Sequence, residues 1–345
     1  MGLTSLLKKK NRKLLFTTPS HGQKFFIFHK FRQFYKYDIS ETDAHNPQEA
    51  LYAAENKAAL IYRTNYTKFL ANGSTSGIIA SVLACTKKGD KVLIWRDSHP
   101  CHKNALKLAG CEPVFYDLDI IKDWGIPDKT DTSTIETLLK KDNIRALIVT
   151  SPTYEGIVSD IRVLKNLCSK YKTYLIVDEA HGALYPFSDK LPQSAVNIAD
   201  FTVQSLHKTA GGLNPTALLH SNCNINPSDA LALINTTSPS YPILATIEAN
   251  INYLNSQKGR KALNNLIDEV ANIKAFCKNI EFYGDDPLKV LIKKQGLSGY
   301  ELSDILFEKY NIEDEKTNDI STMLLCGLGT DKKKLEYLKR VLKKI

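Results

Sequence analysis

The chain has 345 residues, of which 43% are apolar and 24% charged, with 46 Lys and Arg against 37 Asp and Glu. That length exceeds one ordinary domain of ~150 residues, and that apolar share excludes a disordered chain. The net charge of +9 sits at the ends. Residues 1–13 hold five cations and no acid, residues 331–345 a net +5, and the 317 residues between sum to −1. Charge blocks of this kind are solvated tails, so neither a nucleic-acid nor a membrane partner is expected. No apolar run reaches the ~18 residues of a membrane span. "MGLTSLLKKK" puts its charges after the apolar stretch, unlike a signal peptide, and Leu6 breaks the myristoylation pattern. Seven scattered cysteines without zinc spacing predict free thiols in a reducing cytoplasm and no metal.

Residues 1–60 are polar and aromatic with weak periodicity, and are expected to form an arm packed on a neighbouring surface. From about residue 66 a short strand "KFLA" (68–71) leads through "NGSTSG" into the helical pattern "IIASVLACTKKG". "KVLIW" (91–95) is the next strand, followed by the polar "RDSHPCHKNALKLAG", the strand "EPVFY" and a Pro/Asp/Thr-rich loop across 117–134. "ALIVT" (146–150), the helix "DIRVLKNLCSKY" and "TYLIVD" (173–178) make a further strand–helix–strand unit, and "DFTVQS" (200–205) and "TALLH" (216–220) are two more strands. Unbroken Val/Ile/Leu runs separated by helices mark strands buried on both faces. The fold class is therefore α/β, with an open, mostly parallel sheet and helices on both sides. Beyond residue 240 one long helical stretch, Pro242 to Cys277, precedes an alternation that reads as a small α+β domain. "LEYLKRVLKKI" spaces Leu335, Leu338, Val341, Leu342 and Ile345 as a packed C-terminal helix with a basic outer face. The expected division is an arm over 1–60, a large domain over 61–245 and a small domain over 246–345.

Ligands of open α/β sheets bind at the carboxyl ends of the strands. Standing there are Ser74, Thr75 and Ser76, His99 and His102, Ser151 to Tyr154, Asp178 to His181, and Ser205 to Lys208. A lysine, an acid, hydroxyls and a flat ring on one edge match a pyridoxal 5′-phosphate site. Lys208 would bind the cofactor aldehyde as a Schiff base; at its ordinary pKa of ~10.4 an amine is a poor nucleophile at neutral pH, so a shielded position helps. Asp178 would face the pyridine nitrogen and favour the protonated ring, the electron sink. "NGSTSG" offers backbone N–H groups and hydroxyls to a phosphate dianion. His102 has the shape to stack on the ring. Ala180, read as sharing the strand face of Asp178, is small enough to let the ring lie flat. A "GSTSG" turn alone starts many helices, and "DEAH" alone suggests a helicase box, but no G-x-x-x-x-G-K-[ST] occurs in the chain. His99 and His102 could pair on a metal, but no carboxylate or cysteine pattern completes them. The inference rests on the joint occurrence of these residues, each after a strand.

At these residues the chain resembles the Orn/Lys/Arg decarboxylase family, pyridoxal-phosphate-dependent enzymes of the aspartate-aminotransferase fold (fold type I). "FLANGSTSGIIA", "RDSHPCHKNAL", "IVDEAHGA", "LPQSAVNIADFTVQSLHKT" and "TTSPSYPILATIEA" carry the resemblance, with "DISETDAHNPQEALYAAENKAALIY" upstream and "DPLKVLIKKQGLSGYELSDILFEKYNIEDE" downstream. It implies Lys208 as the Schiff-base lysine, Asp178 as the pyridine partner and His102 as the stacking ring. It implies Ser74, Thr75, Ser205 and His207 as the phosphate shell; Ser76, Ala180 and His181, read from the strand ends, complete the expected cofactor shell. Thr236, in "NTTSPSY", is implied to reach the cofactor of a partner subunit, hence an obligate homodimer. The chain departs from the family pattern at Leu184, Gly212 and Asn214–Pro215, follows its N-terminal motif only loosely in "TTPSHGQ", and stops where the family's decarboxylases continue into a further domain. These departures are on the substrate side. The expected activity is decarboxylation of lysine, ornithine or arginine to the amine; transamination or a lyase step on the same cofactor, and a non-catalytic protein on this fold, stay open.

Overall fold

The computed structural model describes Leu14–Leu15 and residues 50–345. The expected arm, with its "TTPSHGQ" stretch and the basic N-terminus, falls for the most part outside the described residues. Leu14–Leu15 pairs in parallel with Ile312–Glu313.

One sheet organises the large part of the molecule. Its strands are β1 (Tyr66–Leu70), β2 (Lys91–Trp95), β3 (Glu112–Tyr116), β4 (Ile144–Thr150), β5 (Tyr174–Asp178), β6 (Phe201–Ser205) and β7 (Ala217–Ser221). Their order across the sheet is β1-β7-β6-β5-β4-β2-β3. All pairings are parallel except those of β7, which runs antiparallel to both β1 and β6. The strands are apolar on both faces because helices cover both. One layer packs Ile78, Val82, Ala105 and Leu106 against Val92, Ile94, Ile148, Ile176 and Val203; the other packs Ile135, Leu139, Leu164 and Cys168 against Leu93, Leu147, Val149, Leu175 and Val177. Helix α2 (Ser74–Cys85) follows helix α1 (Ala50–Tyr62) and lies close against the sheet, for a Cβ on Gly77 would come within 2.7 Å of Val203 Cγ1. This close seat brings the start of α2 to the carboxyl edge of β6.

Register puts the remaining site residues on the same edge. Thr150 pairs with Asp178, and Asp178 with Val203, at the ends of β4 and β5. Because β7 is antiparallel, its first residue, Ala217, lies beside Ser205 and Leu70. The loop entering β7, Asn214–Pro215, therefore arrives at the edge where the other strands leave.

The long helical stretch expected from Pro242 to Cys277 is two helices, Tyr241–Asn255 and Gln257–Phe276. Ser256 separates them: its backbone is extended (ψ 155°) and its side chain accepts from Gly259 N, capping the second helix. The expected helix "SGYELSDILFEKY" runs over Gly299–Asp304, opened by a reciprocal Ser298–Glu301 cap, and continues as a π-helical turn over Ile305–Lys309. A second sheet contains β8 (Glu281–Tyr283), β9 (Lys289–Lys293), β10 (Lys316–Thr317) and β11 (Thr322–Leu325), in the order β8-β9-β11-β10 and antiparallel throughout. The C-terminal helix Lys332–Lys344 buries Leu335, Leu338, Val341 and Leu342, as its spacing predicts. Each such side chain contributes about 1.5–3 kcal/mol of apolar burial. The helix joins a core shared with α1, Gln257–Phe276 and the small sheet, which fixes that sheet against the carboxyl edge of the large one. No helix among the described residues is long and apolar enough to cross a membrane.

Candidate active site

A cavity of about 460 Å³ opens at the carboxyl edge of the large sheet. Of the expected shell, Ser74, Thr75, Asp178, Ala180, His181, His207 and Lys208 line it. Ser205 ends β6, and one helical turn, Leu206–Thr209, carries His207 and Lys208 to the cavity wall. His207 is fixed through Nδ1, 3.1 Å from the Thr216 carbonyl. Ser74 and Thr75 are the first residues of α2, where unsatisfied N–H groups gather.

Asp178 is 6% exposed, and both of its oxygens are held: Oδ1 accepts from Ala180 N at 3.1 Å, and Oδ2 from His102 Nε2 at 3.0 Å. Burial alone would raise its carboxyl, but the His102 hydrogen bond and the His102 and Lys208 charges outweigh it, so the net shift is downward. Asp178 is thus an ionised acid at the cavity wall. Burial lowers Lys208, against Asp178, Glu315 and Cys101, which raise it; the net direction is down.

Four expected shell residues stand elsewhere. His102 is fully buried behind Asp178 and does not line the cavity; its Nε2 holds the acid and its Nδ1 has no partner among the described residues. The imidazole that this helix brings to the cavity wall is His99, which caps the helix Pro100–Ala109 by accepting from Cys101 N. The helix explains the difference: His99 precedes its first turn and stays at the rim, whereas His102 lies inside that turn and points into the packed layer. Ser76 turns away, its hydroxyl donating to Asn72 Oδ1 and the Gly73 carbonyl. Ser205 is fully buried, with no partner for its hydroxyl among the described residues. Thr236 lines a separate apolar cavity of about 290 Å³, which shares Asn72 with the first. Ala180 is a cavity residue as expected, but it sits in the turn after β5 and not on the strand. Cys101, His102 and Asp178 bring one donor atom each to within 4.8 Å of one another, although both Asp178 oxygens are already engaged.

Of the second wall, the sequence reading named Tyr154 alone. Tyr154, Glu155 and Lys316 line it. The Tyr154 hydroxyl donates to Glu315 Oε1, Lys316 Nζ pairs with Glu155 Oε1 at 2.5 Å, and Lys316 lies 5.1 Å from the centre of the Tyr154 ring. Burial, then the Glu315 carboxylate, push the Tyr154 phenol up. Behind this wall Lys289, fully buried, approaches His181. The strand end after Thr150 pointed to Tyr154; nothing in the sequence pairs it with residues 161 positions away.

The sheet order, with a lysine and an ionised acid facing one cavity at its carboxyl edge, defines a fold-type-I enzyme of the pyridoxal-phosphate class. The model "Orn/Lys/Arg decarboxylase, major domain" matches residues 4–284, and the chain belongs to that family. It is 31% identical over 340 residues to the uncharacterized protein YaaO of Bacillus subtilis, covering 91% of this chain and 71% of that one. It is 29% identical over 325 residues to the arginine decarboxylase of the same organism, covering 88% and 66%. The lysine decarboxylase LdcF of Francisella novicida has the same fold, with a TM-score of 0.79 at 19% identity, over 99% of this chain and 59% of that one. The chain thus spans between about three-fifths and seven-tenths of the length of these proteins.

The residues present fit the cofactor. A buried, ionised carboxylate suits a protonated pyridine nitrogen, a lysine of lowered pKa suits an aldehyde, and two hydroxyls on the first turn of a helix suit a phosphate.

Proposed function

We propose that this cavity binds pyridoxal 5′-phosphate and that the protein decarboxylates a basic amino acid, lysine, ornithine or arginine, to its amine. The observation that carries the reading is the convergence of Lys208, Asp178, Ser74 and Thr75 on one 460 Å³ cavity. Membership of the decarboxylase family, and the arginine decarboxylase among its relatives, support the reaction.

When bound, the cofactor supplies a protonated ring that accepts the electron pair left by a departing carboxyl group. Asp178, held ionised, keeps the proton on the pyridine nitrogen. His102 orients Asp178 through Nε2 and so acts through another residue. His99, on the cavity wall, would cover the ring face, the role the resemblance implied for His102. Ser74 and Thr75 hydroxyls, the first N–H groups of α2 and His207 hold the phosphate. Lys208 Nζ would be the amine that holds the aldehyde; 3.0 Å from His181 Nε2, it also stands where a proton can be exchanged. On the second wall the Glu155 carboxylate is paired with Lys316, and the Glu315 carboxylate behind it accepts from Tyr154. The working assembly is a homodimer in which Thr236, absent from its own chain's cavity wall, serves the partner's site.

The test is to incubate the cofactor-loaded protein with mixed amino acids and no keto acid acceptor, identifying products by mass spectrometry. Cadaverine, putrescine or agmatine is expected. A keto acid product would replace decarboxylation by transamination, and the absence of any product would sink both.

A further inference from the structure

The ion pair on the second wall turns its positive end to the cavity. Lys316 Nζ and Glu155 Oε1 are 2.5 Å apart, and both residues line the cavity. Their burial is unequal: the Lys316 side chain is 47% exposed and the Glu155 side chain 4%. The acid stands behind and the ammonium in front. An ammonium carries three N–H donors. Glu155 is the one hydrogen-bond acceptor of Lys316 Nζ among the described residues, and the Tyr154 ring, its centre 5.1 Å away, flanks the group with a π face. Donors therefore remain for a further acceptor in the cavity.

The backbone fixes that head. Lys316 opens β10 and pairs with Met323 of β11. Met323 is fully buried in a cluster with Ile126, Ile157 and Leu291, against which Tyr154 packs. On one side of Lys316, Glu315 N donates to the Met323 carbonyl at 2.8 Å; on the other, Thr317 Oγ1 donates to Asp314 Oδ2 at 2.8 Å. The remaining basic groups of the cavity are committed or uncharged. Lys208 is the lysine assigned to the cofactor aldehyde, and His207 is fixed to the Thr216 carbonyl and assigned to the phosphate. Burial holds His99 below its ordinary value; burial, then the Lys289 and Lys208 charges, hold His181 well below, so both are neutral imidazoles at neutral pH. Lys316 is left as the positive charge on the cavity wall that the cofactor does not use. An amino acid brings one group that such a charge recognises, its carboxylate.

We infer that Lys316, held from behind by Glu155, binds the α-carboxylate of the amino-acid substrate. The inference rests on the reading that this cavity takes an amino acid beside a cofactor bound at Lys208. Glu155 acts through Lys316 and is a positioning residue. An amine product lacks the carboxylate, so the contact that gathers the substrate lets the product go.

The experiment is calorimetric titration of the cofactor-loaded full chain after borohydride reduction, which stops turnover. Peptide mass spectrometry first locates the phosphopyridoxyl group on Lys208. Lysine, ornithine and arginine are then each titrated beside cadaverine, putrescine and agmatine, the same molecules without the carboxyl group. At least one amino acid should bind the wild type about tenfold or more tightly than its amine, the worth of one hydrogen bond to a charged group. Lys316→Met should erase that margin by weakening the amino acid and leaving the amine unchanged. Lys316→Arg and Glu155→Gln, which both keep a cation, should retain a margin. Equal affinities of amino acid and amine in the wild type, or no binding of either, overturn the inference without any variant. An intact margin in a folded Lys316→Met protein overturns it as well. So does a loss of amine affinity in Glu155→Gln, which would make the acid the recognising group. A phosphopyridoxyl group absent from Lys208 rejects the cofactor reading and the inference with it.

Discussion

The two walls of the cavity are built in opposite ways. The first comes from one sheet edge: Asp178 ends β5, Lys208 follows β6, Ser74 and Thr75 start α2, and the polar contacts that set it, from Ala180 N to Asp178 two residues away to His102 and Asp178 76 apart, join elements of that one sheet layer. The second comes from docking: Glu155 meets Lys316 and Tyr154 meets Glu315 across 161 residues, and His181 meets Lys289 across 108. A parallel sheet dictates where its strand ends lie, so the first wall follows from the fold. The second exists only while the small sheet is seated by the core it shares with α1 and the helices after residue 240. Chemistry common to the whole cofactor class is thus placed on the rigid wall. Tyr154, Glu155 and Lys316 reach the same cavity from the docked one.

Substitutions in the first wall should have the largest effects. Lys208→Ala should abolish turnover and the near-visible absorption of the cofactor-loaded protein; persistence of that absorption would move the cofactor site elsewhere. Asp178→Asn keeps the shape of the side chain but removes its charge. It should leave cofactor bound while turnover falls about a hundredfold or more, as when a fixed electrostatic contribution of about 3 kcal/mol is lost. Unchanged turnover would rule out Asp178 as the pyridine partner and erase the contrast between the walls.

The first wall was legible in the sequence because strand ends, turn glycines and the residues after them recur in fixed order along the chain. The seven-stranded sheet and its helices are where that order puts them, and seven residues of the expected shell line the cavity at its edge, Ala180 from the turn after β5 and not from the strand. His102 was chosen over His99 because sequence order cannot tell the residue that caps a helix from the one inside its first turn. Only the direction of the helix decides which ring faces out. Ser205 and Ser76 sit at the right strand and helix positions, yet their hydroxyls turn inward, a matter of side-chain direction alone. Lys289 was hidden more completely. A lysine opening the strand "KVLIK" reads as a solvated end, and only the approach of His181 and the Tyr154 carbonyl makes it a buried one.

That buried charge gives the docked wall a measurable signature of its own. Burial depresses Lys289 from 10.5 to about 8 in the folded protein. Between those values the unfolded chain binds the proton that the folded chain has given up, so folding stability rises with pH across this window. Below pH 8 both states are protonated and the cost of burying the ammonium is constant; above 10.5 both are neutral and the cost is gone. Lys289→Met carries no such group. Relative to that variant, the wild type should gain on the order of 3 kcal/mol between pH 8 and 10.5, with no divergence between pH 6 and 7.5. Urea unfolding of both proteins at pH 7, 8.5 and 10 reads the difference directly. Parallel curves would mean that Lys289 is neutral in the folded protein already at pH 7 or as hydrated as a surface lysine. In either case the docked wall would carry no buried ammonium at neutral pH.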